Sequence, residues 1–413
     1  MPSFLNSAEA AAALGVSRQT LYAYVSRGLL SVHQAAAGNA PKHQRESRYL
    51  AEEVTRLASQ RTRGRKPKEV AKAALNWGLP VLESGITLIE DGRLFYRGHD
   101  AVQLARHSSV EEVAALLWDS PLVAAFGSVE VSAHPAYASV CQHFFGVRAE
   151  SAMLPLFTLA SDDLSTAAWQ TSNVRLAAGC GVLMRLLAAS LLMRAPTSQP
   201  LHQQCAQAWQ LDHDGAELVR MCLILCADHE LNASSFTARC VASTDASVRA
   251  AMIAGLAALS GGKHGGTTAR VEALLDEIGV TDINATASDT AQLTSKLQLR
   301  LARGESLAGF GHHLYPAGDV RATFLLASIL PQAPALQACV SAAQELTGLA
   351  PSLDLALVAV RRHLRLPVGS AYGLFALGRG MGWIAQALEQ RGNGDLIRPR
   401  AAYIGPRPQP TER

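Results

Sequence analysis

From Leu79 onward, apolar residues recur at intervals of three and four in one segment after another. That is the period of a helix with one face turned to a core. HSSVEEVAALLW, ALQACVSAAQELTGL, LDLALVAVRRHL and AYGLFALGRGMGWIAQALEQ all carry it. In the last, Leu374, Leu377, Met381, Ile384 and Leu388 form one stripe. HSSVEEVAALLW adds a serine cap and an acidic first turn. Only GITLIEDGRLFYRG alternates like a hairpin, with its turn at Glu90-Asp91-Gly92. No GxGxxG, GKS/T or HExxH motif occurs. The chain beyond Leu79 therefore reads as a large all-α body with a short β-hairpin near its start.

A hydrophobic fraction of 49% and a charged fraction of 17% over 413 residues suit a globular protein with a large core. LAAGCGVLMRLLAASLLM contains Arg185, and AAMIAGLAALSGG is 13 residues long; both read as buried helices rather than membrane spans. MPSFLNSAEAAAALG lacks a basic region followed by a signal-type apolar core, so the expectation is a cytoplasmic protein with no membrane partner. Seven cysteines are scattered, and Cys222 and Cys226, with three residues between them, have no second Cys/His pair near them. Buried thiols and no metal site are expected.

Net charge divides the chain. Residues 1–76 hold twelve Lys+Arg against five Asp+Glu, and the remainder holds twenty-five against twenty-nine. A basic module in front of a mildly acidic body is implied. In that module SAEAAAAL is a short helix preceded by Asn6, with Glu9 three residues on, as in a capping box. Gly15 and Val16 make a tight turn, Ser17 caps a second helix, and Leu21 and Val25 share its inner face. LLSVH is a candidate strand after Gly28, residues 36–48 a candidate wing, and YLAEEVTRLASQR a candidate third helix. Helix, glycine turn and serine-capped helix make the helix-turn-helix pattern, and residues 4–60 resemble the winged modules of MerR and excisionase type. DNA would then meet Arg18, Gln19 and Tyr22 in a groove and Arg45 and Arg48 at phosphates. The alternative is a small module for assembly or partner contact. The boundaries drawn are 1–60 for this module, 61–78 for a basic linker, 79–407 for the body and 408–413 for a tail.

Four segments of the body carry more polar chemistry than packing needs: ADHELNASSFTAR, LSGGKHGG, AGFGHHLYPAGDVRA and PSLDLALV. Each alone has a structural reading. A histidine near glycine is a turn, and Asp354 can be a helix cap. Together they supply a base, polarising donors and carboxylate clamps. That set suits proton abstraction beside a carbonyl and addition to a second carbonyl.

Residues 79–407 resemble the citrate synthase family. LPVLESGITLIEDGRLFYRGHDAVQLA is similar to its N-terminal hairpin, ADHELNAS to its substrate-histidine segment and GGKHGG to its GPxHGG loop. GFGHHLYPAGDVRA resembles GFGHxxYxxxDPRA, SLDLALVA the aspartate segment, and LGRGMGWIAQALEQ with LIRPRA the C-terminal arginines. The resemblance implies large and small helical domains, the small one near 220–340 and closing on oxaloacetate. It implies Asp354 as the base toward an acyl-CoA methyl group. His264 would be the donor to the thioester oxygen, and His312 the group that polarises the ketone of oxaloacetate. His229, Arg321, Arg379 and Arg398 would hold carboxylates, with Arg398 reaching a partner subunit, so a homodimer is implied. His313, Gly309 and Gly311 would lie along CoA. CoA enters as a substrate carrier, and no metal or redox cofactor is implied. Gly262 stands for the family's proline in the His264 loop, Lys263 for an apolar residue or arginine, Val320 for the proline of DPR, Pro316 for a basic residue and His99 for a tyrosine. Acetyl-CoA with oxaloacetate giving citrate is the expected reaction. Propionyl-CoA giving 2-methylcitrate, or a DNA-binding metabolite sensor, are the alternatives.

Overall fold

The computed structural model describes residues 4–14, 16–26, 30–34, 47–51, 53–54, 82–127, 130–285 and 290–406. They fall into two compact units, Met1–Glu83 and Ser84–Arg413.

In the first unit β1 (Phe4–Asn6) leads into α1 (Ser7–Leu14) and α2 (Arg18–Ser26), followed by β2 (Val32–Gln34) and β3 (Ser47–Leu50). The sheet is antiparallel in the order β1-β3-β2. The capping box forms as the sequence predicts. Asn6 Oδ1 accepts from the backbone N–H of Ala8 and Glu9, and Glu9 Oε2 accepts from Asn6 N at 2.8 Å. Ser17 Oγ accepts from Thr20 N at the start of α2. Leu21 is buried with Ala10, Ala11, Leu14, Leu30, Tyr49 and Val54 in a small core.

One strand comes without an expectation, and one expectation is corrected. Phe4–Asn6 is a strand that nothing in its three residues announces, and it pairs with β3. Tyr49 and Leu50, read as the start of a third helix, belong to β3 instead. A sheet needs a central strand, and Tyr49 placed there buries its ring against the helices. The strand read at LLSVH begins at Val32. Gly28, Arg45 and the linker 61–78 lie outside the described residues, as do all of the expected wing before Ser47 and all of the expected third helix beyond Val54.

The second unit opens with β4 (Thr87–Glu90), β5 (Arg93–Tyr96) and β6 (His99–Asp100), antiparallel in that order. Asp91 and Gly92 join β4 to β5 with φ of 50° and 72°, the twin left-handed residues of a two-residue hairpin turn. Sixteen helices follow among the described residues. They are α3 (Ala101–His107), α4 (Val110–Leu117), α5 (Leu122–Phe126), α6 (Tyr137–His143), α7 (Ala149–Ala160), α8 (Asn173–Leu192), α9 (Leu201–Trp209) and α10 (His213–Cys226). Then come α11 (Ala233–Ala242), α12 (Val248–Leu259), α13 (Thr267–Ile278), α14 (Thr290–Ala302), α15 (Val320–Ile329), α16 (Pro334–Thr347), α17 (Leu353–His363) and α18 (Ser370–Asn393). In α4, Ser109 and Glu112 close a capping box, the serine cap and acidic turn read from the sequence.

The stripe read on α18 understates that helix. From Ser370 to Ala387 every residue is buried, so it is a central helix rather than a one-faced one. α10, α11, α12 and α8 all pack on it. Glycines allow this. A Cβ at Gly378 would stand 2.6 Å from the carbonyl oxygen of Leu223 and 2.7 Å from Cys226 Cβ. α8 is long and apolar enough to cross a membrane, yet 72% of its apolar window is buried inside the unit. All seven cysteines are free, and six are buried.

Gly378→Ala should lower unfolding stability by about 1–3 kcal/mol, because α10 and α18 must separate to admit the methyl group. Gly392 in the same helix has open space around it. Gly392→Ala should be neutral or raise stability by up to about 1 kcal/mol. Denaturant unfolding of both variants checks the pair, and equal losses would refute the close-packing argument.

Candidate active site

The polar segments singled out in the sequence converge in the second unit. His229 follows the C-terminus of α10, where Glu230 takes a left-handed φ of 50° and Asn232 caps α11. This kink turns the chain and leaves His229 buried between two helices. The rings of His229 and His312 meet edge to face at 5.2 Å. Tyr315 lies against both, at 5.6 and 5.1 Å, and its hydroxyl is 3.1 Å from His229 Nε2. The Arg321 guanidinium rests over the Tyr315 ring at 5.2 Å.

The His312 loop is joined to the start of α17. Gly311 N donates to Ala350 O and Ser352 N to Gly309 O, each at 2.8 Å, around a bridge between Phe310 and Pro351. Gly309 and Gly311 have φ of 86° and 78°. At Gly309 a Cβ would stand 2.9 Å from Val271 and 3.0 Å from Leu355. Their glycine identity thus has an internal reason, the turn and its close packing. This pairing brings Asp354, the second residue of α17, toward the His312 loop. Ser352, not Asp354, occupies the cap position, so the reading of Asp354 as a cap is set aside.

Arg321 is held by a residue not singled out in the sequence. Asp319 caps α15 and takes the Arg321 Nε and Nη2 groups at 2.9 and 2.8 Å. Its Oδ2 also accepts Leu353 N, the first residue of α17. With Val320 in place of proline, Arg321 is therefore fixed by a buried fork. That fork occupies two of the five guanidinium N–H groups. Arg379, on α18, gives its Nε to Cys226 O at 2.7 Å, and its Nη1 is enclosed without a hydrogen-bond partner.

His264 sits in a turn held by His264 N to Gly261 O, Gly266 N to Gly261 O and Thr267 N to His264 O. Gly262 therefore leaves the loop well tied. His264 Nε2 is 2.8 Å from Ser234 Oγ, which accepts from the Trp383 indole at 3.0 Å. Phe375 lies edge-on to His264 at 5.7 Å and beneath Arg379 at 4.9 Å. Asp228 is fully buried and accepts from Thr87 and Gln386, tying the hairpin to α18.

Electrostatics follow from enclosure. Burial, reinforced by the Arg379 charge, pushes His264 down to about 3. Burial and then Arg321 bring His312 down to about 4. Burial and the same arginines hold His229 well below the usual range. All three imidazoles are thus neutral at pH 7. His312 Nδ1 accepts from Leu314 N, so its proton resides on Nε2. Burial raises Asp354 to about 6 against the opposing pull of Arg321. Its Oδ1 is enclosed and without a hydrogen-bond partner. Burial disfavours the Asp319 anion, and the Arg321 charge overcomes that and keeps its carboxyl low.

Two predicted residues are not gathered in. His313 is exposed. Arg398 is exposed on the segment after α18, and no hydrogen bond or ion pair joins it to the cluster among the described residues. No group of His, Cys, Asp or Glu suited to a metal occurs among the described residues. Asp319 and Tyr315 were visible in GFGHHLYPAGDVRA; their roles were not, because a cap and a ring contact depend on the fold.

A helical body that gathers three neutral histidines, two of them half-buried, with an unpaired carboxylate oxygen and an unpaired guanidinium nitrogen has the makings of an enzyme. A sequence model of the citrate synthase C-terminal domain matches residues 74–400. The citrate synthase of Haloferax volcanii is 31% identical over 79% of this chain and 94% of its own length. A 2-methylcitrate synthase of Mycobacterium tuberculosis is 28% identical over 76% and 84%. The solved citrate synthase of Thermoplasma acidophilum, in ternary complex with carboxymethyl coenzyme A and oxaloacetate, superposes with a TM-score of 0.65 at 21% identity, covering 80% of this chain and 95% of that one. The chain belongs to the citrate synthase family, and it is an acyltransferase-type enzyme of that family.

Proposed function

We propose that the enzyme condenses acetyl-CoA with oxaloacetate and hydrolyses the resulting thioester to citrate and CoA. The observation that supports it most is the pairing of an unpartnered, buried Asp354 Oδ1 with neutral imidazoles in one enclosed cluster. Asp354 removes a proton from the thioester methyl group. An N–H of His264 donates to the thioester oxygen as negative charge collects there. Ser234 has one proton to share between Asn232 Oδ1 and His264 Nε2. Given to His264, it leaves the imidazole hydrogen on Nδ1, free to face the substrate. The enolate carbon then attacks the ketone, and His312 Nε2–H polarises that carbonyl and protonates the alkoxide. Water cleaves the thioester and releases CoA. His229, Arg321 and Arg379 hold the oxaloacetate carboxylates. Arg379 has the unpaired Nη1 for this, whereas Arg321 presents what Asp319 leaves over. His313, Gly309 and Gly311 lie toward CoA, and residues 220–340 close on oxaloacetate.

Propionyl-CoA is the competing substrate. One methylene discriminates by only about 1–3 kcal/mol, and the ratio of kcat/KM for the two thioesters decides. Asp354→Asn should lose most CoA release while calorimetry still shows oxaloacetate binding; retained turnover would overturn the base assignment. A base must be ionised, so kcat/KM should fall with one proton as pH drops through about 6. His264 and His312, already neutral above about 4, add no second acid limb.

Arg398 stands apart from its own chain's cluster. We place it in a partner's site, which makes the active unit a homodimer. Sedimentation velocity at assay concentration should show no monomer; full turnover by a monomer would rule this out.

The front unit supports a second role, in DNA binding. Leu21 is buried while Tyr22, 53% exposed, and Gln19 face outward on α2, and Arg48 is exposed on β3. Of Arg18 only the helical backbone is described. Duplex mobility shifts should appear at low salt and fade as salt rises. No shift at low salt would leave the unit a module for assembly.

A further inference from the structure

Behind the cluster lies a group of charges that the proposed chemistry does not use. α13 begins three residues after His264, and α17 carries Asp354 at its second position. The two helices pack together, and the His312 loop is wedged between them where Gly309 meets Val271 and Leu355. The residue after Val271 is Glu272. Its Oε1 accepts Arg361 Nε at 2.7 Å, and its Oε2 accepts Arg361 Nη2 at 2.9 Å and Arg362 Nε at 2.8 Å. Arg361 and Arg362 are the seventh and eighth residues after Asp354, two turns along α17. Glu272 is the eighth after His264.

The carboxylate therefore fastens the two helices at one depth behind both groups. Its bonds are charge-assisted and, toward Arg361, bidentate, a geometry that fixes orientation as well as distance. Arg362 has other acceptors, in the carbonyls of Glu272 and Thr281 and the Asp276 carboxylate. Among the described residues Arg361 otherwise retains only Leu366 O at 3.4 Å. Leu274, Leu275, Leu355 and Val358 stay buried in the core around the two helices. Loss of the carboxylate thus leaves apolar packing in place and releases the fixed spacing.

We propose that Glu272 is a positioning residue. Clamped by Arg361 and Arg362, it sets the separation of His264 from Asp354, and with it the geometry of proton abstraction. This rests on the catalytic roles proposed above. Small misplacements of reacting groups are costly in rate, up to about a hundredfold for 1 Å.

The test compares wild type with Glu272→Gln and Glu272→Ala. Expected are a kcat lowered by about tenfold or more, an unchanged oxaloacetate Kd, and a larger isotope effect on kcat with methyl-deuterated acetyl-CoA. Such a pattern marks a slowed proton step, which a general loss of structure does not produce. Wild-type turnover with unaffected Glu272 variants would overturn the inference alone. So would variants whose oxaloacetate affinity and melting temperature fall together with kcat while the isotope effect stays fixed. No turnover from folded wild type would overturn the catalytic reading and this inference with it.

Discussion

The buried ion pair of Asp319 and Arg321 is the contact on which the cluster depends. Removing two charges from water is expensive unless each finds several partners. Here the carboxylate caps α15, takes the Nε and Nη2 groups of Arg321 and accepts the first N–H of α17. One side chain thus fixes an arginine, a loop and the helix that bears Asp354. The field of that arginine then opposes the protonation of Asp354 and helps keep His312 neutral.

Around this pair the body uses close backbone contact rather than long side chains. Gly378 lets α18 lie against α10, which places Arg379 beside the carbonyl of Cys226. Gly309 lets the His312 loop lie between α13 and α17. A second tier of charge, Arg239 with Glu389, Gln386 and Gln390, is buried between α11 and α18. Glu389 also accepts Gly85 N, so the hairpin is tied to the same tier.

Much of this was legible in the chain. Periodicity and caps identify the helices, because both are local, and the Asn6 and Ser109 boxes form as written. His229, His264, His312, Asp354, Arg321 and Arg379 stand out as polar groups among glycines or in apolar helices. The burial of α18 on every side was not legible from one stripe, since it depends on four neighbours distant in sequence. Asp319 did not stand out, because its partners beyond the cap come from the fold. Strand β1 has too few residues to show a period and exists through its pairing with β3. Arg398 is exposed on the segment after α18, apart from the cluster, a placement that its motif does not announce.

Trp383 is fully buried, and Gly255 lies flat against its indole. Its N–H binds Ser234, which in turn touches His264. The indole is thus immobilised one hydroxyl away from the imidazole that the proposed chemistry turns toward the thioester. A thioester that drew on His264 would therefore be felt, through a single hydroxyl, by one of the chain's five tryptophans.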